Sequence, residues 1–177
     1  MSHEPLRPLH GQMALVTGGS SGIGAAIARA LGTAGATVGV NYHSYPEQAQ
    51  QIVEDIQEGG GKAVVLKADI LKAAEAQAMF DAFVVMFGRI DILVANCGIQ
   101  QDAPFANMIL DRLRCLIDVN LTTQFLCARD AVRRFLAQET DPSVSRAWMK
   151  SSACPPFMRL SPGQGTSTTR HRRAASC

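Results

Sequence analysis

Between the apolar run MALVT, which begins at Met13, and the small-residue run IGAAIARALGTAG, which begins at Ile23, the chain reads TGGSSGIG over residues 17–24. No other stretch constrains the fold so tightly. An apolar run, a glycine cluster and an alanine-rich apolar segment in that order read as strand, tight turn and helix. Glycines at 18, 22 and 24 let the backbone turn sharply and come close to a ligand. The helix that opens directly after them presents unpaired N–H groups and the positive end of its dipole. Such a turn suits a pyrophosphate, and its position at the start of a βαβ unit separates it from an ordinary glycine-rich turn.

The same grammar then repeats. ATVGVNY (36–42) reads as a strand, PEQAQQIVEDIQEGG (46–60) as a helix with proline at its start and glycines at its end, and KAVVLKADI (62–70) as the next strand. Residues 72–87 suit an amphipathic helix, RIDILVANCG (89–98) a buried strand running into a loop, and residues 108–138 one long helical stretch. Strands alternating with helices imply right-handed crossovers and a parallel, doubly wound α/β sheet. Near-continuous apolar strands agree, since such strands are covered on both faces.

The spacing T-G-x-x-x-G-x-G resembles the fingerprint of the short-chain dehydrogenase/reductase family. Three further positions carry the resemblance: Asp69 in KADI, Asn96 and Gly98 in ANCG where the family has N-N-A-G, and Asn120 in DVNLTTQF. Ala95 and Cys97 depart from that second motif. The resemblance implies a Rossmann-type sheet with about four of the family's seven strands, ordered 3-2-1-4 and stopping there, so that ILVAN is an uncovered edge. It also implies cofactor contacts from Gly18, Ser20, Ser21, Gly22, Ile23 and Gly24 at the turn, Tyr42, His43 and Ser44 after the second strand, Asp69 and Ile70 beside the adenine, and Asn96 and Gly98 after the fourth strand. Asn120 falls where the family has the asparagine of its catalytic proton relay.

An NAD-selective site usually places an acid at the end of the second strand to bind the ribose hydroxyls. Asn41, Tyr42, His43 and Ser44 offer none, so NADP, or dual use of NADP and NAD, is expected. The wording from Val40 to Ile70 most resembles bacterial glucose 1-dehydrogenases within the family. The small-molecule substrate implied is an alcohol or sugar such as glucose, with a 3-oxoacyl thioester as the alternative.

Hydride transfer in this family depends on a tyrosine, a lysine four residues later and a serine thirteen residues before the tyrosine. A phenol with a pKa of about 10 is a poor base at neutral pH unless a nearby cation favours its ionised form. The only tyrosines are Tyr42 and Tyr45, with Pro46 and Ala49 at the four-residue offset, so the pair is missing. The chain changes character near Pro142: residues 1–141 carry eleven Lys/Arg against fifteen Asp/Glu, whereas residues 142–177 carry six Lys/Arg and no acid. That tail is dense in Pro, Ser and Thr without helical or strand periodicity, which marks a disordered segment.

Back-translated and reread one frame over, the tail is compatible with the missing triad. A serine arises across Pro155 and Pro156, a tyrosine thirteen residues later across Thr168 and Thr169, and a lysine four beyond it across Arg172 and Arg173. The expectation is a dinucleotide-binding domain over 1–141, incomplete relative to its family, and a tail out of frame from about residue 147. The polypeptide itself is expected to be inactive, leaving a noncatalytic nucleotide-binding fragment as the second function class.

Composition excludes other classes. The five cysteines form no CxxC pair and no Cys/His cluster, so neither a metal site nor a disulfide framework is expected. The basic tail has no aromatic interleaving and no amphipathic pattern, which argues against nucleic acid and membrane partners. With no apolar run of membrane-spanning length and no signal-like N-terminus, a cytoplasmic chain is expected. The resemblance adds a homo-oligomeric parent, dimer or tetramer.

Overall fold

The computed structural model describes residues 7–139 and Val144, together with the backbone of residues 150–153. Five parallel strands form one sheet: β1 (Met13–Thr17), β2 (Thr37–Tyr42), β3 (Lys62–Lys67), β4 (Ile92–Ala95) and β5 (Lys150–Ala153). They are ordered β3-β2-β1-β4-β5. Helices α1 (Gly22–Thr33), α2 (Pro46–Glu58) and α3 (Ala73–Phe87) make the first three crossovers. After β4 come a single 3-10 turn (Phe105–Asn107), α4 (Leu110–Ile117), a π-helical turn (Asp118–Thr122) and α5 (Thr123–Ala137).

Local chemistry explains the boundaries. Pro46 opens α2 with its φ already fixed for the helix. Gly88, at φ +79°, ends α3 in the left-handed conformation while its N–H bonds Val84 O at 2.7 Å. The alternation of β1 splits the core between the two faces of the sheet. Ala14 and Val16 join Ala28 of α1 and Ile52, Val53 and Ile56 of α2 on one side. Leu15 joins Phe80 and Phe83 of α3 and Cys127, Ala131 and Phe135 of α5 on the other. Full burial of Phe83 stabilises the fold by roughly 1.5–3 kcal/mol. Gly39 makes that burial possible, because a Cβ there would lie 2.8 Å from the Phe83 ring.

The expected order 3-2-1-4 is present, and two expectations need correction. The first is that β4 is not the free edge: β5 pairs with it in parallel from Ile92↔Lys150 to Ala95↔Ala153. Strand pairing engages backbone N–H and C=O groups, so four residues without apolar alternation can cover an edge. The second is that residues 108–138 are not one uniform helix. The turn at 118–122 winds more widely, because one extra residue is accommodated between α4 and α5. The reread positions 155–173 lie outside the described residues.

Candidate functional site

The C-terminal ends of β1, β2 and β4 surround a cleft of about 530 Å³. Its first wall is the glycine turn. Ser21 precedes α1 in extended conformation, makes no capping side-chain bond, and no acid occupies the helix's first turn. The N-terminal N–H groups of α1 therefore face an end of the molecule with no side-chain counter-charge, which is the donor set an anion requires. Gly24 sets how closely the turn folds on itself: a Cβ there would overlap Gly18 O and sit 2.6 Å from Asn96 Nδ2. The backbone occupies the space that any side chain would fill.

Two asparagines tie the turn to neighbouring strands. Asn96 donates from its amide to Thr17 Oγ1 at 3.0 Å and from Nδ2 to Gly18 O at 3.2 Å. Asn41, only 2% exposed, accepts from Gly18 N at 3.2 Å and donates to Leu66 O and Ala68 O, each at 3.2 Å. One carboxamide thus fastens the end of β2 to the glycine turn and to β3. Sequence reasoning noted only that Asn41 supplies no acid and missed this role. The available signal was a polar residue ending the otherwise apolar strand TVGVN.

The second wall follows β2 and β3. Tyr42, His43 and Ser44 line the cleft beside Asp69 and Ile70. Asp69 accepts from Leu71 N at 3.1 Å, and its carboxylate lies 3.7 Å from Lys72 Nζ and 3.9 Å from His43 Nε2. Lys72 also bonds Glu75 at 2.9 Å; this hydrogen bond pushes the lysine pKa up and holds the glutamate pKa down. Acidic and basic side chains are therefore paired along this end of the cleft, with Asp69 facing both His43 and Lys72.

The third wall is the loop after β4. Asn96, Cys97, Gly98 and Ile99 line it. Asn120, in the π-helical turn, accepts from Ile99 N at 2.7 Å and donates to Ile99 O at 2.9 Å. Gln124 donates to Cys97 O at 2.6 Å. Burial raises the Cys97 pKa, which keeps the half-buried thiol neutral.

Gly18, Ser20, Ser21, Ile23, Tyr42, His43, Ser44, Asp69, Ile70, Asn96 and Gly98 thus line one cleft. Gly22 and Gly24 shape the turn behind it, and Asn120 stands behind the Ile99 loop. Val119, Ile99, Ala68 and Leu71 also line the cleft and were not anticipated from the sequence. A dinucleotide fits this arrangement on chemical grounds, with an uncapped helix start for the pyrophosphate and a polar end lined by Tyr42, His43 and Ser44 for the ribose. Among the described residues no group of three His, Cys, Asp or Glu side chains could hold a metal ion.

Residues 12–142 match the family model described as short chain dehydrogenase. The chain is 40% identical over 139 residues to glucose 1-dehydrogenase 2 of Bacillus subtilis, covering 78% of this chain and 54% of that protein. It is 41% identical over 128 residues to 3beta-hydroxysteroid dehydrogenase 1 of Eggerthella lenta, covering 72% and 49%. A short chain dehydrogenase of Burkholderia cenocepacia, solved in complex with NADP, superposes with a TM-score of 0.69 at 36% identity over 72% of this chain and 52% of that one. The chain spans about half the length of the curated relatives it matches. With the fingerprint turn, the sheet order and the family match in agreement, this chain belongs to the short-chain dehydrogenase family.

Proposed function

We propose that this chain is the nucleotide-binding part of an NAD(P)-dependent oxidoreductase that moves a hydride between a nicotinamide cofactor and an alcohol or sugar. The Gly24 cradle carries the reading, because a turn closed to every side chain beside an uncapped helix start is costly to build and suits a bound pyrophosphate. In this reading the turn residues Gly18, Ser20, Ser21, Gly22, Ile23 and Gly24 bind the pyrophosphate. Asp69 and Ile70 hold the adenine, and Asn96 and Gly98 line the path toward the nicotinamide end.

Tyr42, His43 and Ser44 receive the ribose, and the absence of an acid among them favours NADP, or dual use, over NAD alone. The Burkholderia complex with NADP supports the same preference. The bound dinucleotide supplies the hydride chemistry. Asn120 acts from behind the site, holding the Ile99 loop in place.

The substrate we favour is glucose or a related polyol, supported by the Val40–Ile70 wording and by the Bacillus relative, ahead of a 3-oxoacyl thioester. Binding and turnover are separable for this polypeptide. Its sequence holds no Tyr-x-x-x-Lys pair, so we propose that it binds nucleotide without transferring hydride, as an incomplete domain over 1–141 followed by an out-of-frame tail. Among the described residues no helix is long and apolar enough to cross a membrane, and a cytoplasmic, oligomeric parent completes the proposal.

Incubation of the purified chain with NADP and a panel of polyols, followed by nicotinamide absorbance, tests the noncatalytic part. No reduced cofactor is expected, and measurable turnover would overturn it. Restoring the frame at about residue 147 and repeating the assay tests the parent activity, which should then appear on polyols before thioesters.

A further inference from the structure

The opposite end of the sheet holds a second cavity of about 180 Å³. Met13, Thr37 and Lys62, the first residues of β1, β2 and β3, stand in register across its floor. Arg7 and His10 complete the polar lining, and no carboxylate belongs to it among the described residues. Arg7 donates to Gly60 O at 3.3 Å, which engages a single guanidinium nitrogen. Neither Arg7, His10 nor Lys62 has an acidic partner among the described residues, and Thr37, 7% exposed, makes no side-chain hydrogen bond there. The carboxylate behind Met13, Asp91, accepts from the Met13 amide at 2.9 Å and is paired with Arg89 at 2.5 Å, so its charge is already answered.

Two cations around one concavity repel one another, and the Thr37 hydroxyl stands beside them with no protein partner among the described residues. One bound anion offsets the two charges and accepts from the hydroxyl. The cavity has the volume of about six water molecules, enough for a tetrahedral oxyanion with part of its hydration shell. We propose that this cavity binds a small phosphate-class oxyanion, held by Arg7, Lys62, His10 and the Thr37 hydroxyl. It lies at the far end of the strands from the nucleotide cleft and does not depend on the nucleotide reading.

The test is an NMR titration of the full chain with inorganic phosphate against sodium chloride at matched ionic strength, observing the His10 ring and the Arg7 and Lys62 side chains. Saturable shifts at these residues with phosphate, absent with chloride, are expected. Arg7→Gln combined with Lys62→Gln should weaken phosphate binding by about tenfold or more without altering NADP affinity. Lys62→Gln alone, at the exposed start of an edge strand, keeps the fold intact and should show a smaller loss in the same direction. A parallel titration with glycerol phosphate identifies a phosphomonoester as the ligand if it binds more tightly, and the free ion if it does not. Equal shifts in chloride, or phosphate affinity unchanged in both variants, would overturn the proposal.

Discussion

Replacing Gly24 by alanine adds one methyl group, and its effect can be worked from the contacts it would meet. The new Cβ overlaps Gly18 O and approaches Gly18 C to 3.0 Å and Asn96 Nδ2 to 2.6 Å, against an optimum of about 3.5–4.0 Å between nonbonded heavy atoms. Two of these atoms are backbone and the third is an anchored carboxamide, so the turn itself must move by roughly 1 Å. Overpacking of this kind costs about 1–3 kcal/mol. Losing the bond from Asn96 Nδ2 to Gly18 O adds about 1 kcal/mol, and the better helix propensity of alanine returns up to about 1 kcal/mol.

The net destabilisation is therefore about 1–4 kcal/mol, or a Tm lower by roughly 2–16 °C for a domain of this size. Nucleotide binding should fall further than stability, because the displaced turn is the anion site itself. Gly22→Ala is the control. Gly22 sits at φ +52° with nothing within 4 Å of its added Cβ, so only left-handed strain of about 1–2 kcal/mol applies and the cradle stays open. Thermal melts and NADP titrations of both variants decide the matter. A Gly24→Ala protein that melts with the wild type and binds NADP equally well would refute the reasoning.

Asn120→Ala removes both side-chain bonds to Ile99 and should cost about 1–2 kcal/mol, with faster hydrogen exchange at the Ile99 amide as the local signature. His43→Ala should weaken NADP more than NAD if the His43 ring, which lines the cleft, meets the extra phosphate, which paired calorimetric titrations would read. Among the described residues the thiols should react with an alkylating reagent in the order Cys115, Cys97, Cys127, since Cys115 is exposed, Cys97 half-buried and Cys127 buried. Burial also pushes the Cys127 pKa from 9.0 to about 12. The folded state then holds a proton that the unfolded chain releases between those values, so this stabilisation is complete below pH 9 and is lost as pH rises toward 12. Cys127→Ala should flatten that part of a pH-dependent melting curve.

Much of this site was legible because its chemistry depends on local order. The turn at 17–24 needs glycines between a strand and a helix, and a chain with that pattern has few ways to fold there. Alternating elements then dictated the order of β1 to β4, which brought residues as distant as Ser21, Asp69 and Asn96 to one cleft. Features that depend on tertiary contact were not legible. The wide turn at Asp118–Thr122 carries no proline or glycine to mark it in the sequence, and its link to the loop after β4 shows only in the bonds of Asn120 to Ile99. Asn41 looked like a missing acid until its carboxamide was seen bonding three backbone groups in two segments, the glycine turn and the end of β3. The pairing of β5 with β4 is a backbone ladder, and KSSA has no apolar run to announce it in the sequence.

The most direct test of the account is calorimetric titration of the purified chain with NADPH and NADH, with Gly24→Ala alongside. The account predicts saturable one-to-one binding, with NADPH at least as tight as NADH and the variant binding neither measurably. A cooperatively folded wild-type chain giving no saturable heat with either nucleotide would contradict it.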